Sequence, residues 1–293
     1  MSLSVKDMHL NHLSAFGNPC SHCSLSIWTL NSLSLSISDI DNPQIQTKFT
    51  PPSGQDPKNM PYDPSQPLLG QIGTSIASSL ANFTIPSYAS PYLDCVLLHS
   101  PLPTKEQTLA AWEILESYVP TRVHSLGISN CSLKQLQCLY EASTIKPSVV
   151  QNRFYPVTHF DVDIRAYCKE KGIVYQSFWT LTGNPALLQS SVVQAVAGQL
   201  YRLGVKEDTK QIALYALVLG LDGNICILNG TKDKDRMEGD WEGIRVLAKW
   251  IDNDDDGEAP EGQGKGQLQW KAWMAEFREL IEHGERMEGV GGQ

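Results

Sequence analysis

The sequence predicts an α/β fold with a parallel sheet, and the number of its strand–helix units favours a (β/α)8 TIM barrel. From about residue 44, short apolar runs alternate with segments of helical periodicity, which is the pattern of a parallel α/β sheet. The run Cys95–Leu98 has no polar alternation, as expected for a strand covered on both faces. The content of 41% hydrophobic and 19% charged residues fits one large globular domain with extensions.

Six strands are predicted in this part of the chain. They span Gln44–Phe49, Leu93–Leu98, Val123–Ile128, Ser148–Gln151, Ile173–Phe178 and Asn224–Leu228. The proline-rich loop Thr50–Pro67 is long for a strand-to-helix connection, so we expect it to be functional or mobile. Before it, Cys23–Leu30 and Leu33–Ile37 are further candidate strands, but no segment of helical length separates them.

Local signals mark where several helices begin and end. They are the capping boxes Thr104–Gln107 and Ser132–Gln135, Asp161 as the cap of Val162–Lys171, Gly172 as the stop of that helix, and Thr209 as the cap of the helix through Gln211–Leu219. Such caps satisfy backbone groups that a helix leaves unpaired at its ends. We therefore divide the chain into an atypical N-terminal segment, 1–37, and a barrel, 38–251.

The C-terminal part follows a different pattern. An acidic, glycine-rich linker is predicted for residues 252–266, and an amphipathic helix for residues 267–293. The apolar stripe of this helix consists of Trp270, Trp273, Met274, Phe277, Leu280 and Ile281, followed by Gly284. We expect the helix to pack back on the domain. Docking of a partner on the stripe is the alternative.

Charge and composition argue against several classes of protein. The net charge of -9 argues against a general nucleic-acid binder, which needs a basic face. No run approaches the roughly 20 apolar residues of a membrane span. Seven scattered cysteines suggest reduced thiols, so we expect a cytoplasmic protein, which we take to be a monomer. Cys20 and Cys23 lack a second ligand pair, so we predict no metal.

Polar side chains lie where the predicted strands end. Lys48 and His99 close the first two strands, and Ser129 follows the third. The C-terminal strand ends of a parallel barrel meet at one rim, which is where such barrels carry their chemistry. On its position alone, His99 is equally well explained as a surface residue of a loop.

Taken together, the strand ends resemble the aldo-keto reductase family. The matching segments are Ile45–Phe49 with Lys48, Tyr92–Pro101 with His99, Leu126–Asn130 with Ser129 and Asn130, Pro147–Gln151 with Gln151, Gln176–Thr180 with Phe178, and Asn229–Arg236 with Thr231 and Arg236. The resemblance covers roughly residues 38 to 250. The stretch Phe178-Trp179-Thr180 is most similar to a fungal, sugar-dehydrogenase-like type.

The resemblance implies an enzyme that uses NADP(H) to interconvert a small carbonyl compound and its alcohol by hydride transfer. It implies two catalytic residues, Lys48 and His99, and six cofactor-binding residues, Ser129, Asn130, Gln151, Phe178, Thr231 and Arg236. The lysine would lower the pKa of a proton-donating tyrosine, and the histidine would orient the carbonyl. Arg236 favours NADP(H), because a guanidinium suits a phosphate. Gly230 departs from the basic residue that many relatives carry there.

The sequence departs from the family at the proton donor. The family places this tyrosine before the lysine strand, whereas residues 1–37 contain no tyrosine and the first in the chain is Tyr62. Tyr62 lies in a loop, which would hold a proton donor less accurately than a strand end. The alternative function is therefore a catalytically impaired relative that binds nucleotide or a protein partner without turnover.

Two explanations account for the short region before Lys48. The barrel lacks its N-terminal part, with residues 1–37 encoded by sequence that is not normally translated, or residues 1–37 supply replacement strands and an altered site. We favour the first, because this segment is rich in serine and leucine without a regular pattern. Under either, we expect the barrel to be incomplete or altered at its first two strands, where unpaired edges need cover.

Overall fold

The computed structural model describes residues 45–83, 91–252 and 265–283, together with the backbone of residues 26–29. The strands in these residues are β1 (Ser26–Thr29), β2 (Gln46–Phe49), β3 (Leu93–Leu98), β4 (Val123–Ser129), β5 (Val149–Arg153), β6 (Val174–Phe178) and β7 (Ile225–Asn229). The helices are α1 (Leu68–Asn82), α2 (Lys105–Glu116), α3 (Leu133–Ala142), α4 (Val162–Lys171), α5 (Ser191–Arg202), α6 (Thr209–Leu219), α7 (Lys234–Asp252) and α8 (Lys265–His283).

The strands form one sheet in the order β1-β7-β6-β5-β4-β3-β2. Strands β2 to β7 pair in parallel, which confirms the predicted parallel α/β class. Strand β1 runs antiparallel to β7, with Ser26 opposite Asn229. Part of the N-terminal segment therefore joins the sheet, as in the second of the two explanations for that segment. The candidate strand Leu33–Ile37 lies outside the described residues.

The sheet curves around an interior. Gln46 of β2 and Gln176 of β6 exchange two side-chain hydrogen bonds of 2.9 and 3.0 Å, although three strands separate β2 from β6 in the sheet. Gln151 of β5 donates from Nε2 to the same Gln176 Oε1 at 2.8 Å. Side chains on one face of a flat sheet could not meet in this way. The six parallel strands thus form the incomplete barrel that the sequence predicts.

Apolar layers lie below and around these glutamines. Cys95 and Leu97 of β3 pack with Val149 of β5, and alternation along the strands places them on the interior face. On the outer face, helices cover the sheet. Trp112 of α2 is 1% exposed, and its Nε1 donates to the carbonyl of Ile145 at 2.9 Å. Burial of such a large side chain stabilises the fold by about 1.5–3 kcal/mol.

The predicted helix signals are confirmed in part. Both capping boxes form, and Gly172 ends α4 with a φ of 69°, a conformation that glycine adopts without strain. Asp161 precedes α4, but its side chain does not cap the helix. Its carboxylate instead accepts hydrogen bonds from Asn152 and Tyr175. Thr209 is the first residue inside α6 rather than its cap.

The helix α8 packs against the barrel. Four residues of the apolar stripe are buried in the main core, namely Trp273, Met274, Phe277 and Ile281. The expected packing of α8 on the domain is therefore confirmed. The stripe is covered by the barrel and is not exposed for a partner to dock. Arg278 adds hydrogen bonds to the carbonyls of Gly220 and Leu221 at 3.2 and 2.7 Å. Gly284 and most of the predicted linker lie outside the described residues.

Candidate active site

Lys48 and His99 lie at one rim of the barrel, on adjacent strands. Lys48 pairs with Leu97 in the β2–β3 register, and the backbone N–H of His99 donates to the carbonyl of Phe49 at 2.9 Å. The period of two along a strand gives Lys48 the same face as Gln46, whose side chain is in the interior. The sequence pattern therefore placed these two residues at the correct strand ends.

Ser129 and Asn130 continue the rim beyond β4. Ser129 is fully buried, and its hydroxyl donates to the carbonyl of Gln151 at 2.7 Å. Asn130 has a φ of 55°, which asparagine tolerates better than most residues. Its Nδ2 donates to the carbonyl of His99 at 2.8 Å and to Ser129 Oγ at 3.1 Å. This asparagine thus fixes the backbone of His99 relative to β4 and β5.

Phe178 ends β6 and is part of an aromatic and cationic stack. The guanidinium of Arg153, at the end of β5, lies 5.2 Å from the ring centroid of Phe178 and 4.7 Å from that of Trp179. Trp179 is 51% exposed. The same guanidinium donates from Nη1 to Asn130 Oδ1 at 2.8 Å. Arg153 therefore joins two of the predicted nicotinamide-binding residues, and it was missed because the predicted strand ended at Gln151.

A cavity of about 570 Å³ opens beside this stack, between the loops that follow β4 and β5. Its wall includes Asn130, Ser132, Arg153, Tyr155 and His159. Lys48 and His99 do not line it. The cavity adjoins the rim through Asn130 and Arg153, the two residues it shares with the site.

Thr231 lies in a turn held by local hydrogen bonds after β7. Its N–H donates to Asn229 Oδ1 at 2.9 Å, and its hydroxyl accepts from the N–H of Asp233 at 3.1 Å. Asp240 of α7 accepts from Asn229 Nδ2 at 2.8 Å. Burial, with a contribution from the charge of Asp208, raises the pKa of Asp240 to about 6.

Arg236 follows this turn in the first part of α7. Its backbone N–H donates to Asp233 Oδ1 at 3.1 Å, and its side chain is 59% exposed, with Nε 3.4 Å from Asp208 Oδ2. The site thus has two parts. Five predicted residues lie at the ends of β2, β3, β4 and β6, with Gln151 in the middle of β5, and Thr231 with Arg236 lies beyond β7.

Tyr62 is unsuited to act as a replacement proton donor. It is 5% exposed, its ring packs on Phe49, and its hydroxyl donates to the carbonyl of Thr50. Burial raises the pKa of this hydroxyl, whereas a donor that exchanges its proton readily needs a lowered pKa.

The residues that the structure describes contain neither a membrane-spanning helix nor a candidate metal site. Within ranges 45–83, 91–252 and 265–283, no helix is long and apolar enough to cross a membrane. In the same ranges, no group of histidine, cysteine, aspartate and glutamate side chains could hold a metal ion. Cys20 and Cys23 lie outside them.

Several known proteins are similar to this chain. An NAD/NADP-dependent indole-3-acetaldehyde reductase of Schizosaccharomyces pombe is 33% identical over 106 residues, which is 34% of this chain and 37% of that protein. Glyoxal reductase of Bacillus subtilis is 32% identical over 107 residues, covering 36% and 37%. The chain thus spans less than two fifths of the length of each of these curated relatives.

Solved structures share the fold. Aldose reductase from Giardia lamblia superposes with a TM-score of 0.56 at 16% identity, covering 87% of this chain and 76% of that one. An aldo-keto reductase complexed with NADPH gives 0.52 at 16% identity, covering 88% and 73%. The model of the aldo/keto reductase family matches residues 35–196, which include β2 to β6 and end before the turn of Thr231. Because this match covers more than half of the chain, the chain belongs to the aldo/keto reductase family.

Proposed function

We propose that this protein is an NADP(H)-dependent oxidoreductase that interconverts an aldehyde or ketone and its alcohol by hydride transfer. The supporting observation is the rim itself, where the candidate residues lie in or directly after five successive parallel strands, β2 to β6. Membership of the family agrees with it. The similar relatives named as reductases support the same class of reaction.

The cofactor, when bound, supplies or accepts the hydride. In this proposal Ser129, Asn130 and Gln151 hold the carboxamide of the nicotinamide, and Phe178 stacks on its ring. The amides of Asn130 and Gln151 are hydrogen-bonded to other residues, so the site is ordered before the cofactor arrives. Such order lowers the entropy lost on binding.

Lys48 and His99 act on the carbonyl. Of the residues predicted from the sequence at this rim, Lys48 and His99 have side chains that can carry a positive charge. A positive charge near the carbonyl oxygen stabilises the negative charge that develops as hydride adds to carbon. An imidazole can also transfer a proton near neutral pH.

Arg236 and Thr231 support a preference for NADP(H) over NAD(H). The guanidinium of Arg236 is largely exposed and 3.4 Å from the carboxylate of Asp208. An exposed ion pair of this kind contributes little stability, so a phosphate can replace the carboxylate. We therefore expect NADPH to bind more tightly than NADH.

The test is to mix the purified protein with NADPH and each of a panel of aldehydes. Turnover is measured as the loss of NADPH absorbance. We expect Lys48→Met and His99→Ala each to lower kcat by about 100-fold or more, since proton transfer and charge stabilisation contribute at least this much. Lys271→Met, on an exposed position of α8, is the control and should leave the rate unchanged. An active protein that tolerates both site substitutions would refute the assignment.

The state of Tyr62 supports a second candidate function. Its buried hydroxyl donates to the carbonyl of Thr50, so Tyr62 is not available as the family's proton donor. The second candidate is a relative that binds nucleotide or a protein partner without turnover. It predicts quenching of protein fluorescence by NADPH together with no aldehyde reduction.

We also propose a cytoplasmic monomer, in accord with the free cysteines Cys95, Cys131, Cys168 and Cys226, which are buried.

A further inference from the structure

Among the residues that the structure describes, no carboxylate is paired with the positive charge of Arg153. Arg165 and Arg236 each pair with an aspartate, but in the described part of the chain no acidic oxygen lies within 4.0 Å of the Arg153 guanidinium. It is half-buried. A half-buried charge without a counter-ion favours the binding of an anion.

The guanidinium is also held in place. Its stacking on Phe178 and Trp179 and its hydrogen bond to Asn130 fix the plane of the group. Arginine has five N–H donors, and the bond to Asn130 uses one of them; among the described residues no other acceptor contacts this side chain. An arginine fixed in this way suits carboxylate or phosphate, which accept two parallel hydrogen bonds.

The cavity beside Arg153 has the size and the wall for a small polar molecule. Its volume of about 570 Å³ falls in the range of small-molecule sites. Ser132 and Tyr155 add hydroxyl groups to the wall. Of the two carboxylates that also line it, Asp161 accepts hydrogen bonds from Asn152 and Tyr175, and Asp163 is exposed to screening by solvent.

We propose that Arg153 binds the carboxylate or phosphate of an anionic carbonyl substrate, whose carbonyl end reaches the rim at Asn130 and His99. This inference rests on the proposed function. The sheet order favours the substrate over the cofactor as the source of the anion. The cavity lies between β4 and β5, whereas Thr231 and Arg236 lie beyond β7, so a cofactor that extends towards Arg236 leads away from it.

The test compares succinic semialdehyde with butanal, two aldehydes of equal chain length of which one carries a carboxylate. We expect the wild-type protein to have the higher kcat/KM for succinic semialdehyde. Arg153→Met should reduce that preference by about 10- to 100-fold, the usual effect of losing a charged hydrogen bond, and Arg153→Lys should restore part of it. Arg202→Met, on the surface of α5, should leave the preference unchanged.

The preference, rather than either rate alone, is the readout, because Arg153 also contacts Asn130 and Phe178. An equal loss for both aldehydes in Arg153→Met would overturn the proposal and leave Arg153 as a positioning residue. If no aldehyde is reduced, the proposed function fails, and the inference is then decided by calorimetry. Butanoate, but not butanol, should bind the wild-type protein with or without NADP+, and binding of butanoate that survives in Arg153→Met would also overturn it.

Discussion

The buried carboxylate of Asp240 makes the stability of this protein dependent on pH. Asp240 is 5% exposed and accepts a hydrogen bond from Asn229, which in turn holds the turn of Thr231. Its pKa is raised from 3.8 to about 6, chiefly by burial. Folding therefore favours the protonated form of Asp240, and that contribution is lost as the pH rises from about 4 through 6.

We expect Asp240→Asn to stabilise the fold above this pH range. A pKa difference of about 2 pH units corresponds to about 3 kcal/mol at 1.36 kcal/mol per unit. Solvent near the rim screens part of the charge, so we expect roughly half of this, on the order of 1.5 kcal/mol. The asparagine can still accept the hydrogen bond from Asn229, so the turn after β7 remains held.

The assay is urea denaturation of the wild-type protein and of Asp240→Asn at several values between about pH 4.5 and 8. The stability difference should be smallest at the acidic end and should rise to a plateau above about pH 7. Asp235→Asn, the same change at an exposed position of α7, should show no such rise. A difference that does not vary with pH, or that falls as the pH rises, would show that Asp240 is not buried as described.

Two further changes test the packing. Phe277→Ala in α8 removes a fully buried ring and should lower the free energy of unfolding by about 3–5 kcal/mol; urea denaturation that finds little change would contradict the packing of α8. Gly127→Ala should lower the melting temperature, because its Cβ would lie 2.7 Å from the carbonyl oxygen of Val149. Gly198→Ala, in an open position of α5, should raise it by reducing the conformational entropy of the unfolded chain, and equal effects at the two glycines would refute the tight contact.

The elements that could be predicted from the sequence are those with local causes. Strand β3 was predicted at both ends, because its residues are buried almost continuously and Ser100 and Pro101 cannot continue a strand. The capping boxes of α2 and α3 formed as predicted, since each needs only a hydroxyl and a glutamine three residues apart.

Other features depend on contacts between distant parts of the chain. Asp161 was predicted as a cap, but Asn152 and Tyr175 bind its carboxylate in the folded protein. Gln46 and Gln176 meet across 130 residues of sequence, and no local pattern indicates such a pair. Arg153 was missed for a related reason, because the polar pair of Asn152 and Arg153 ended the apolar run before β5 itself ends.

The reversed direction of β1 decides which of its residues lies at the rim. Each parallel strand runs towards the rim, so the residue that follows it is presented to substrate. Strand β1 begins at the rim, with Ser26 opposite Asn229, and Thr29 lies opposite Cys226, deeper in the barrel. Strand β1 therefore runs away from the rim, and its last residue is the one farthest from the site. In β1 the residue at the rim is thus the first one, Ser26, whereas in each parallel strand it is the last.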